Sequence, residues 1–192
     1  RFRVWTGVHS RRSSTPMKLS PRLRSIAAGF VAMAALGATG CVVAPSSPGG
    51  SSVGAGQLDR FPVVGPVQYG NDFGASRGGG TRRHQGIDVM AKRGQRVVAV
   101  ESGRITSVKS SASCGYSLGL AGDDGNYYLY CHLNAYASGI KAGTRVWAGK
   151  QVGTVGSTGN AHEAYPHLHF ELHPTGPAAA AINPYPRLRN AE

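Results

Sequence analysis

From residue 96 onward the chain is written in short β-prone runs cut by glycine: RVVAV (96–100), GRITSVKS (103–110), SLGLAG (117–122), NYYLYCHL (126–133), TRVWAG (144–149), QVGTVG (151–156) and HLHFELH (167–173). Where apolar and polar residues alternate, successive side chains fall on opposite faces of a strand, so each run predicts a strand with one apolar face. No helix of ordinary length fits between them. Asp123-Asp124-Gly125 lies between apolar and aromatic flanks and predicts a hairpin turn in which glycine supplies the positive φ. The segments GQRVVA (94–99) and GTRVWA (143–148) share G-x-R-V-x-A, as if one β unit were duplicated. The expected fold is all-β, a compact antiparallel sandwich or flattened barrel without a long helix.

Composition agrees with that pattern. The chain has 28 glycines in 192 residues and only 16% charged residues. Its basicity is concentrated at one end. Seven of the 21 basic residues and none of the nine acidic ones lie in residues 1–40, which leaves the remainder with a formal charge of +5. There is no dense Lys/Arg stripe with interleaved aromatics, so nucleic acid is not the expected partner; an anionic cell-wall surface is. The apolar run Ser25 to Cys41 follows Lys18, Arg22 and Arg24, is too short to span a bilayer comfortably, and reads as an export signal. Small residues before Cys41 suit a lipoprotein signal, with Cys41 as the lipidated residue and membrane anchor, although Ala38 stands where leucine is usual. The expected organisation is a leader at 1–16 with Met17 as the start, a signal at 17–41, a Pro/Gly/Ser linker at 42–58, and one domain at 59–192 acting as a monomer outside the cytoplasm.

Export permits disulfides, and with Cys41 assigned to the anchor, Cys114 and Cys131 remain as a pair on either side of the Asp123-Asp124-Gly125 turn. Such a bridge would stabilise the domain by about 3 kcal/mol, and it is expected on the face opposite the active site.

The segment YPHLHFELHP holds three of the chain's seven histidines. On a strand, His167, His169 and Glu171 face one side and Leu168, Phe170 and Leu172 the other. Alone, His-x-His is an edge strand with a solvated face. RRHQGIDVMA adds His84 and Asp88, and with one histidine of the His167/His169 pair they make the three-ligand His/carboxylate set of a catalytic zinc site, whose fourth position is left to water. Tyr130 and His132 are expected on one face of their strand, with Leu129, Cys131 and Leu133 on the other, so that Tyr130 lines a groove.

In this order, HQGID, YCHL and GSTGNAHEAYPHLHFELH resemble the lysostaphin-type zinc endopeptidases that cut peptidoglycan peptides; DFGASR, AKRGQRVVAVESGRI and INPYPRL extend the resemblance over Phe61 to Leu188. It implies the duplicated hybrid motif fold, a Zn²⁺ cofactor held by His84, Asp88 and His169, His132 and His167 as proton-handling residues, and peptidoglycan as partner. The implied reaction is metal-assisted amide hydrolysis. His162, His173, Glu163 and Glu171 match no role and are expected as loop, surface or structural residues. Asn71 or Asp72 lies where an upstream loop in some relatives fills the metal's open position. A competing reading is a regulatory module of the same fold that activates other wall hydrolases; its signature is missing ligands, and here none is missing. A carrier domain with Lys150 as the modified residue fits neither export nor the histidines.

Overall fold

The computed structural model describes residues 56–192. The leader, the signal with Cys41 and most of the linker lie outside the described residues. Leu58, expected as the last linker position, is buried in the hydrophobic core.

Ten strands and one short helix follow: β1 Ser76–Arg77, β2 Arg82–Arg83, β3 Ile87–Met90, β4 Arg96–Val98, β5 Gly103–Ser111, β6 Gly115–Gly122, β7 Asn126–Tyr136, β8 Arg145–Val146, β9 Gln151–Val155, β10 His167–Pro174 and α1 Tyr185–Asn190. β1 and β2 form a separate two-stranded ribbon. The main sheet is antiparallel in the order β3-β10-β7-β6-β5-β8, with β9 pairing both β4 and β7, and it does not close into a barrel.

Alternation dictates the core. Ile87 and Val89 of β3, Leu118 and Leu120 of β6, Tyr128 and Tyr130 of β7, and Leu168, Phe170 and Leu172 of β10 are fully buried. Removing side chains of this size from water stabilises the fold by about 1.5–3 kcal/mol each before the entropy of ordering them is counted. The rings of Tyr128 and Tyr130 pack on Phe170 at 6.0 and 5.3 Å between centroids.

The repeated G-x-R-V-x-A motif has a structural counterpart. Each copy opens a pair of consecutive strands, β4-β5 and β8-β9, yet β4 pairs with β9 and β8 with β5. The two copies exchange partners, which ties them into one sheet.

β7 changes neighbour along its length. Asn126 to Cys131 pair with β10, whereas Leu133 to Tyr136 pair with β9 on the same strand. Across β6, Leu118 faces Tyr130 and Tyr116 faces Leu133, so Cys131 and His132 together oppose the single residue Ser117. That extra residue is a β-bulge, and His132 adopts φ 61 in it.

Candidate metal centre

β3 and β10 are antiparallel neighbours with Asp88 directly opposite His169. Residues opposite one another in a ladder share a face, so the register alone brings the carboxylate to the imidazole. His84 arrives from the segment between β2 and β3. Gly86 is required there, because a Cβ at that position would collide with the Phe170 backbone. His84 Nε2 lies 2.9 Å from His169 Nδ1 and 3.0 Å from Asp88 Oδ1, and His169 Nδ1 lies 2.9 Å from the same oxygen.

The opposite edge of each ring sets its tautomer. His169 Nε2–H donates to Glu171 Oε1 at 2.8 Å, which leaves Nδ1 as a lone pair. His84 Nδ1 lies 3.0 Å from the Asp72 carbonyl oxygen and 3.1 Å from Asp72 Oδ2. Arg77 Nη2 is also 3.0 Å from that nitrogen, but two Asp72 acceptors outweigh one donor, so Nδ1 carries the proton and Nε2 the lone pair. Arg77 serves the carboxylates instead, donating to Asp72 Oδ2 at 2.8 Å and to Asp88 Oδ2 at 3.0 Å. While both rings are neutral, three electron pairs thus converge with no hydrogen to share among them, an arrangement that repels unless a proton or a metal cation lies between. Two imidazoles and one carboxylate, each braced from behind, are the donor chemistry that suits zinc.

The titration of these groups records the same demand. Burial pulls His169 down, yet its hydrogen bonds to Asp88 and Glu171 prevail and raise it to about 9. Burial pushes Asp88 up, and hydrogen bonds with His169 and His84 more than offset it, holding the carboxyl far below its usual range. Without a metal, a proton is the cation that takes the centre.

His132 and His167 flank the cluster. Their ring centroids are 4.8 Å apart, and His132 lies 5.9 Å from His169. Each spends its Nδ1–H on a carbonyl at 2.8 Å, Thr158 for His132 and Tyr165 for His167, leaving Nε2 as the basic nitrogen. Burial pulls His132 down to about 4, with the neighbouring His167 and His169 acting in the same direction against the Thr158 carbonyl, so the ring is uncharged at neutral pH. All five residues line a cleft of about 360 Å³.

Several expectations need correction. Tyr130 does not line the cleft: it is fully buried, and its hydroxyl accepts the Val100 N–H at 3.0 Å. The bulge is the cause, because the extra residue shifts the alternation after Tyr130 and puts Cys131 and His132 both at the cleft. Cys114 and Cys131 are disulfide-bonded, but for the same reason the bridge lines the cleft wall rather than the opposite face. His173 is buried, with Nε2 2.8 Å from Glu171 Oε2 and Nδ1–H donating to the Ala179 carbonyl. Glu171 takes the structural rather than the solvated of its two expected roles, bracing His169; its position on the His167/His169 face is the available signal. Asp72 braces His84 on the Nδ1 side, away from the converging donors, and Asn71 accepts from Asn183 at 3.0 Å. Neither belongs to the three-donor cluster found among the described residues. His162 and Glu163 are exposed as expected, and His162 borders the cleft.

Comparison with known proteins fits this architecture. The model of Peptidase family M23 matches residues 82–184, which is more than half of the chain and includes all five histidine and aspartate positions. The chain belongs to peptidase family M23. Among curated M23 relatives, the L-Ala-D-Glu endopeptidase of Bacillus subtilis (strain 168) is 33% identical over 67% of this chain and 42% of its own. The murein hydrolase activator NlpD of Escherichia coli (strain K12) is 32% identical over 65% of this chain and 30% of its own. The chain therefore spans less than half the length of either. The catalytic domain of lysostaphin from Staphylococcus simulans superposes with a TM-score of 0.57 at 32% identity, covering 64% of this chain and 92% of that one. M23 relatives thus include both endopeptidases and an activator of murein hydrolases, and the M23 family is one of zinc metallopeptidases.

Proposed function

We propose that this chain is a zinc-dependent endopeptidase that hydrolyses amide bonds in the peptides or cross-bridges of peptidoglycan. One observation carries the reading: His84 Nε2, His169 Nδ1 and Asp88 Oδ1 converge to 2.9–3.0 Å of one another. A protein that needed only the fold would not need three such donor atoms held together, with Asp72 and Glu171 behind the two rings. Held by these three residues, zinc supplies a Lewis acid that polarises a scissile carbonyl and acidifies water.

The chain's own residues do the remainder. Asp72 and Glu171 keep the ligand rings in one tautomer and orientation. His132, kept neutral by burial, suits the acceptor of the attacking water's proton at Nε2. His167, with Nε2 3.8 Å from Asp88 Oδ1, is the partner residue in this reading, steadying the developing oxyanion and delivering a proton to the leaving amine. The disulfide and the signal-like segment support a location outside the cytoplasm, and an anchor at Cys41 is supported by the sequence pattern alone.

The test is mass spectrometry of products released from purified peptidoglycan by the chain, with a chelator and then with zinc restored. New amino termini that vanish with chelation and return with zinc are expected. If no bond is cut while a separate wall hydrolase is accelerated, the chain acts as an activator and the enzyme reading fails.

A further inference from the structure

His132 holds a backbone conformation that L residues rarely adopt. Its φ of 61 is left-handed, a region in which an L side chain persists only where surrounding contacts determine it. Two contacts do so. The backbone N–H donates to the Cys114 carbonyl and the ring Nδ1–H to the Thr158 carbonyl, both at 2.8 Å.

Both acceptors belong to one knot of backbone. Tyr116 N–H donates to Thr158 Oγ1 at 2.9 Å, Thr158 Oγ1–H to the Leu133 carbonyl at 2.8 Å, and Asn160 N–H to the Ser113 carbonyl at 3.1 Å. Gly115 makes the approach possible, since any Cβ there would collide with Thr158. At the tip of the β5–β6 hairpin Lys109 to Ser113 are exposed. Its noncovalent ties to β7 are few: the His132 N–H to the Cys114 carbonyl, the Tyr136 hydroxyl donating to the Lys109 carbonyl, and the Tyr116 ring on Tyr136 at 5.6 Å. Segments secured by few buried contacts open readily. The covalent tie is the bond from Cys114 to Cys131, the residue next to His132.

We infer that the Cys114–Cys131 disulfide is a positioning device for His132, clamping the hairpin tip so that the imidazole stays fixed in the bulge at the cleft wall. The inference rests on the endopeptidase reading for its kinetic consequence and on geometry alone for its structural one. It predicts that the bridge acts on turnover through His132 and not through the metal ligands.

The experiment removes the bridge with Cys114→Ala and Cys131→Ala together, in the parent chain and in a His132→Ala background, at a temperature where all remain folded. Expected in the parent background are a fall in kcat of about 10-fold or more, KM within about twofold and zinc still at one equivalent; in the His132→Ala background the same change should cost less than about twofold. Amide exchange gives a readout independent of activity: protection of the His132 N–H should drop at least about tenfold while Phe170 in β10 is unaffected. An equal kinetic loss in both backgrounds, loss of zinc, or unchanged His132 protection overturns the inference. If the parent hydrolyses nothing, the endopeptidase reading fails and the exchange result still decides the positioning. Should the double alanine variant not fold, opening the bridge in the folded parent and in the folded His132→Ala chain with a thiol reductant replaces it, and the same background dependence and His132 deprotection are required of the reduced chains.

Discussion

Two strands bring histidines to the cleft by different means. β10 delivers His167 and His169 on unbroken alternation, with Glu171 two residues further along bracing the ring before it. β7 delivers His132 on a bulge, at φ 61, at the point where the strand exchanges β10 for β9. The first arrangement costs the backbone nothing, and its ligand is braced by a neighbour on the same face. The second stores strain and relies on loops distant in sequence, Cys114 and Thr158. A metal ligand held by regular pairing tolerates little reorientation, whereas a proton-handling residue on a bulge can be aimed independently of its sheet.

The largest expected difference between the strands follows from deleting their histidines. His169→Ala removes one of the three proposed ligands, so zinc and activity should be lost together, as they should be for His84→Ala and Asp88→Ala. His132→Ala, with His167→Ala beside it, keeps zinc near one equivalent while turnover falls by about 100- to 10,000-fold. Metal content measured alongside turnover for all five variants checks both halves. Zinc loss on His132→Ala would erase the distinction between the strands.

Next in size is the brace on β10. Glu171→Gln keeps the shape but weakens the acceptor behind His169 Nε2, and zinc affinity should fall by about 10- to 100-fold in a competition titration with a chelating dye. No change would mean that regular pairing orients His169 unaided.

Tyr130 tests where the alternation on β7 breaks. Tyr130→Phe leaves the buried Val100 N–H without its acceptor, so thermal unfolding should show a loss of about 1–2 kcal/mol with hydrolysis unaltered. A change in KM instead would return Tyr130 to the groove.

The smallest effect concerns the bulge itself. At a left-handed position glycine is less strained than alanine, so His132→Gly should be more stable than His132→Ala by about 1 kcal/mol. At His169, on extended backbone, the order should reverse. Chemical denaturation of the four variants reads out both signs.

The same contrast explains what could be read before the structure. The strands of the sheet, the Asp123-Asp124-Gly125 turn, His84 and Asp88 on entry to β3, and His167/His169 on one face all follow from period and spacing, because regular pairing preserves them. The echo between residues 94–99 and 143–148 pointed to a duplication, but the exchanged pairing of β4 with β9 and β8 with β5 is a long-range fact with no local signature. The bulge was illegible. Nothing in LYCHL distinguishes an inserted residue from a regular one, and that single residue misplaced both Tyr130 and the disulfide. Arg77 carries no sequence signal because its partners are brought to it by folding; Asp72 is legible only as a candidate for the metal's open position, and Glu171 has no assigned role until the ring nitrogens of the histidines beside it are located.

Three lone pairs, on β3, β10 and the segment before β3, are proposed to form the metal centre, with His132 and His167 outside it. Anomalous diffraction from zinc-loaded crystals at the zinc edge would locate the metal. A single peak bonded to His84 Nε2, Asp88 Oδ1 and His169 Nδ1 is expected, with neither His132 nor His167 in the coordination shell. A peak bonded to His132 or His167 in place of one of those three, or no peak within the cluster, would contradict it.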